Sequence, residues 1–140
     1  MLRQIIGISV VAFRAINLFQ VSGSSVWIEL LPDESFYELK PTLKTIKFSE
    51  KSENSESGTS YEQKLSCNVT VQESNNKLIN NLECSRLIVK IEYSTGEIEI
   101  MGTSVFPVFL TANINIDNSS VYKFEFVCKT IHRLLKLVEK

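Results

Sequence analysis

From Gly58 to Val71 apolar and polar positions alternate. Tyr61, Gln63, Leu65, Cys67, Val69 and Val71 fall on one side, while Glu62, Lys64, Ser66, Asn68 and Thr70 fall on the other. Successive side chains of a β-strand point to opposite faces, so this period of two predicts a strand with one face on a core and the other in water. The run Glu50 to Ser57 just before it has no apolar residue. Nothing there can hold the chain against a core, which predicts a solvated hairpin tip. The stem strands would be Leu43 to Phe48 and Tyr61 to Val71, with a polar arm at about 49–58.

The same reading extends along the chain. Ile5 to Phe13 is rich in β-branched residues and predicts a first strand, which Arg14 to Phe19 turns towards the next. Ser22-Gly23-Ser24-Ser25 has the composition of a turn, and Val26 to Leu31 reads as a strand in which Trp27 anchors a core or an interface. Pro41 lacks a backbone donor and leaves Phe36 to Phe48 ambiguous, with most order expected over Leu43 to Ser49. Between Asn75 and Glu83 the period changes: Leu78, Ile79 and Leu82 form one stripe of a short helix, with Ser74 or Asn75 as its cap.

Arg86 to Tyr93 and Glu97 to Met101 flank the turn Ser94-Thr95-Gly96 and predict a hairpin. A second hairpin pairs Leu110, Ala112, Ile114 and Ile116 with Tyr122, Phe124, Phe126 and Cys128 around Asp117-Asn118-Ser119-Ser120. At the end of the chain, Ile131, Leu134, Leu135 and Val138 fit a helical stripe, extended structure being the competing assignment. The fold class is therefore mainly β, with six to eight strands in two antiparallel sheets packed as a sandwich or partly closed barrel. A short internal helix covers one end, and a C-terminal helix is possible. No repeat or linker divides residues 1–140, so a single β-rich domain is expected.

Composition changes this picture little. Of 140 residues 44% are hydrophobic and 22% charged, values that allow a buried core, and the net charge of −1 gives no global attraction to nucleic acid. Three cysteines, Cys67, Cys84 and Cys128, are too few and too widely spaced for a disulfide framework or a zinc site, and read as reduced thiols. Arg3 followed by Ile5 to Phe13 resembles a short signal peptide. Arg14 ends that run after about nine residues, against the ~20 needed to span a membrane, and a strand is the preferred reading.

Candidate chemistry is sparse. His132 is the single histidine, so any acid–base arrangement depends on one ring beside Arg133. Glu97 and Glu99 form a carboxylate pair, a pattern that a solvated strand face also produces. Gly96 and Gly102 lack the spacing of a phosphate loop, and no nucleophile elbow surrounds a serine. Asn68-Val69-Thr70 and Asn118-Ser119-Ser120 match the glycosylation pattern, which matters only in a secretory context. No enzyme activity, cofactor or metal is expected.

The order Gly58-Thr59-Ser60-Tyr61-Glu62-Gln63-Lys64-Leu65, Leu82, Leu87-Ile88-Val89, Gly96, Met101-Gly102, Pro107 and Tyr122-Lys123-Phe124-Glu125-Phe126 resembles small virion proteins encoded by phages and prophages of gut Bacteroidetes. The resemblance covers Gly58 to Thr130. It implies a structural tail or head–tail connector component, a homo-oligomeric ring bound to other virion proteins and assembled in the host bacterial cytoplasm. Neither specific nucleic-acid binding nor membrane insertion is expected. The assembly contacts would be Glu50, Lys51, Glu53, Glu56, Gly58 and Tyr61 on the arm, with Ile131, Leu134, Leu135 and Val138 on the C-terminal stripe. The alternative is a secreted or surface-attached β-sandwich that binds a ligand.

Overall fold

The computed structural model describes residues 3–70, 76–115 and 121–138. Within these residues eleven strands form two sheets. They are β1 (Ile5–Ala12), β2 (Ile16–Ser22), β3 (Ser25–Leu30), β4 (Tyr37–Leu39), β5 (Lys47–Ser55), β6 (Gly58–Thr70), β7 (Leu87–Tyr93), β8 (Ile98–Met101), β9 (Phe109–Asn115), β10 (Val121–Thr130) and β11 (Leu135–Leu137), with one helix, α1 (Asn76–Glu83). The larger sheet has the order β2-β3-β11-β8-β7-β1-β4, and the smaller β5-β6-β10-β9.

The alternation in β6 and β10 does what it predicts. Leu65, Cys67, Val69, Phe124, Phe126 and Cys128 are buried, and they face Ile8, Val10, Val89, Ile91 and Met101 of the larger sheet in one core. Register is continuous over ten pairs from Val121↔Thr70 to Thr130↔Tyr61. A one-residue slip would turn Phe124 and Phe126 to water, so the pattern itself fixes the pairing. Ile79 and Leu82 of α1 join this core, as their spacing predicts. The proposed cap at Ser74 or Asn75, strand residue Val71 and the turn Asp117 to Ser120 lie outside the described residues.

The larger sheet departs from the simple sandwich because both of its faces are covered. In β7, Leu87, Ile88 and Val89 are all buried. Ile88, with Val11, Ile100, Val26 and Leu135, belongs to a second core on the face away from the smaller sheet. The β2–β3 hairpin supplies the cover, through Phe19 and Ile28. Ile16 to Phe19 is therefore strand where a turn is expected, and the turn itself shrinks to a single 3-10 turn over Phe13–Ala15. Trp27 shares its face with Gln20 on the outer side of that hairpin and is half-buried.

The C-terminal stripe is not helical. Leu135–Leu137 forms β11, wedged between β3 and β8, antiparallel to β8 and parallel to β3. The expectation of a C-terminal helix, and of wholly antiparallel sheets, is corrected here. Leu134 and Leu135 are adjacent, and a strand sends adjacent residues to opposite faces. Leu134 accordingly packs on the inter-sheet core and Leu135 in the second one. Two cores on opposite sides of one sheet can each take one leucine from a strand, which a helical stripe facing one way cannot supply.

Candidate functional site

The polar run that reads as a solvated hairpin tip is paired strand almost to its turn. β5 and β6 stay in register from Lys47↔Ser66 to Ser55↔Gly58, leaving only Glu56 and Ser57 in the turn. Gly58 has φ of +116°, a left-handed conformation that glycine adopts without the Cβ clash other residues suffer. Asn54 and Thr59 close the tip with a 2.7 Å hydrogen bond from Thr59 Oγ1 to Asn54 Oδ1. The third strand, β10, pairs no further than Tyr61. Residues 52–60 therefore project as a two-stranded ribbon, about 13 Å long at the usual rise per residue, and residues 51–60 are all exposed.

The root of this arm is built differently. Gln63 is 1% exposed, and its Nε2 donates to Glu50 Oε2 and to the backbone oxygen of His132, each at 3.3 Å. Arg133 Nε lies 3.5 Å from Glu50 Oε1, and its guanidinium stands 5.3 Å from the centroid of the Tyr61 ring. Hydrogen bonds and an ion pair thus tie the arm's root to the segment that follows β10.

The structure brings some predicted contacts together and separates others. Glu50 and Tyr61 are half-buried at the root, beside exposed Ile131, whereas Lys51, Glu53, Glu56 and Gly58 are exposed on the arm. Leu135 is buried in the second core, and Leu134 packs half-buried against the first. Val138 is exposed, and its N–H donates to the Val26 carbonyl at 2.9 Å. Sequence reasoning missed Gln63 and Arg133. A glutamine on the apolar side of the alternating strand was the available signal, since a buried amide needs partners.

The remaining chemical candidates are placed as follows. The His132 ring packs edge-on to Phe106, with centroids 6.5 Å apart. Glu97 is exposed, but Glu99 is 7% exposed, so the pair does not share a solvated face. Glu99 points with Met101 into the space between the sheets, where Arg3 offsets its charge. Arg3 Nη1 donates to Glu97 Oε2 at 2.7 Å, while Nη2 stands 2.9 Å from Glu99 Oε1 without the alignment of a directed hydrogen bond. The guanidinium lies over the Tyr93 ring, 4.1 Å from its centroid. Burial, with a hydrogen bond to Glu99 and its negative charge, raises the Tyr93 hydroxyl above the usual phenol range. This arrangement offsets the charge of a buried carboxylate.

Among the described residues no three His, Cys, Asp or Glu side chains gather as a metal site, and no helix is long and apolar enough to cross a membrane. None of the family models, curated proteins or solved structures compared with the chain matches it.

Proposed function

We propose that this chain is a structural subunit that works by assembling with copies of itself, a ring-forming tail or head–tail connector component of the phage-virion kind its motif order resembles. The observation that carries the reading is the ribbon at residues 52–60, which has strand geometry but, among the described residues, no third strand beside it. An isolated two-stranded ribbon is marginal in water, and an unpaired strand edge is a template for another chain. Strand addition on a neighbour would satisfy those backbone groups. The clamped root gives the arm a fixed direction, so a contact made from one copy to the next repeats with a constant rotation. Such heterologous contacts close into rings when that rotation divides the circle.

Sedimentation velocity over a range of concentrations tests this reading. The full chain is expected to form a discrete multimer, and a variant in which Asn-Gly replaces residues 53–60 is expected to remain monomeric with a nearly unchanged thermal transition. A full chain that stays monomeric at every concentration would contradict it.

A further inference from the structure

A cleft of about 600 Å³ opens on the side of the sandwich where the chain crosses from β4 to β5. Ile5, Ile6, Leu43, Ile46, Phe48 and Tyr93 line it together with the polar Gln4. Because β4 pairs with β1 only at Ile8 to Val10, no strand among the described residues pairs with Ile5 and Ile6 on that side. The volume lies within the range of small-molecule sites, which combine apolar walls with a few charged or polar groups.

Charge sets the direction of a ligand. Arg3 is held by both Glu97 and Glu99, so among the described residues two carboxylates face this one cation. Lys44 also lines the cleft, and it makes no ion pair with any described residue. An anionic group would find the charge of Arg3 already met by carboxylates and that of Lys44 unmet. A bilayer surface is a poor match, because binding to anionic lipid draws on several basic residues, and among the described residues this cleft presents one uncompensated cation.

We propose that the cleft binds a free amphiphile of the fatty-carboxylate class, with its hydrocarbon against the isoleucine and phenylalanine walls and its carboxylate at Lys44. The proposal does not rest on the assembly reading, and failure of either leaves the other standing.

Titration of the full chain with dansyl-undecanoic acid, and separately with its neutral methyl ester, tests it through the blue shift of dansyl fluorescence. Saturable binding of both probes is expected. Lys44→Glu should weaken the acid by about fivefold to tenfold, the range of a partly exposed charge contact, and leave the ester unchanged. Leu43 is 56% exposed, so Leu43→Asp can fold, as circular dichroism would verify. It should weaken both probes by about tenfold or more, because it removes apolar wall. Absence of saturable binding, equal acid affinity in wild type and Lys44→Glu, or co-sedimentation with phosphatidylglycerol vesicles in place of free-probe binding would overturn the proposal.

Discussion

Glu50 and Arg133 meet at 3.5 Å across the root of the arm, and Gln63, buried beneath them, donates to the same carboxylate. The two contacts are unequal. The Arg133 side chain is largely exposed, and solvent screens its ion pair. Gln63 is in the core, where a lost partner leaves buried groups unsatisfied. Gln63→Ala should therefore cost about 2–4 kcal/mol from lost packing and hydrogen bonds, whereas Arg133→Ala should leave the urea midpoint unchanged within error. Equal effects in urea denaturation would show that the root is not organised around the glutamine.

Inside and outside positions on β10 give a second test. Phe124 is 1% exposed and its neighbour Lys123 is exposed. Phe124→Asp places an unpaired charge in the inter-sheet core and should unfold the domain, while Lys123→Asp should change stability by less than about 1 kcal/mol. Near-ultraviolet circular dichroism reads the loss of packing directly.

Much of the smaller sheet was legible because one of its faces is wet. Along most of β6 and β10 buried positions alternate with exposed or half-buried ones, and period two follows. The larger sheet hides its pattern. Ile88 and Ile100 face one core while Val89 and Met101 face another, so burial ceases to alternate. The same double cover conceals β11, where Leu134 and Leu135 serve different cores and mimic a helical stripe. Glu99 was misread for a related reason: an inward carboxylate is tolerable only because Arg3, distant in sequence, reaches it. At the arm, a lack of apolar residues correctly indicated exposure but not conformation, since backbone pairing between β5 and β6 needs no core.

Gly102 and Gly96 both have positive φ, +97° and +90°, yet their surroundings differ. A Cβ at Gly102 would lie 2.7 Å from Val108 Cγ2, while nothing stands within 4 Å of one at Gly96. Val108 cannot easily give way, because its N–H and carbonyl both pair with Leu87. Gly96→Ala should cost about 1–2 kcal/mol from backbone strain alone. Gly102→Ala should cost about 2–4 kcal/mol, the same strain plus overpacking. Chemical denaturation of the two variants separates the contributions.

Burial pushes the thiols of Cys67 and Cys128 up to about 12 from an ordinary value of 9.0. The folded state holds these protons more tightly than the unfolded chain does. Their contribution is therefore complete below about pH 9 and is lost as pH rises towards about 12. Each thiol should lower stability by about 1.4 kcal/mol per pH unit within that window. Denaturation at pH 8 and pH 10 should show this fall, and a Cys67→Ala, Cys128→Ala double variant should show a markedly shallower one. In the native protein at pH 8, a thiol reagent should label the exposed Cys84 and spare the two buried cysteines.

The central claim is that the ribbon beyond Tyr61 finds its missing strand on another copy. Amide hydrogen exchange followed by mass spectrometry at increasing protein concentration asks this of residues 52–60 themselves. Protection of those amides should rise with concentration while that of β10 stays constant. Amides in the ribbon that exchange equally fast at every concentration, in a chain whose β10 remains protected, would contradict the account.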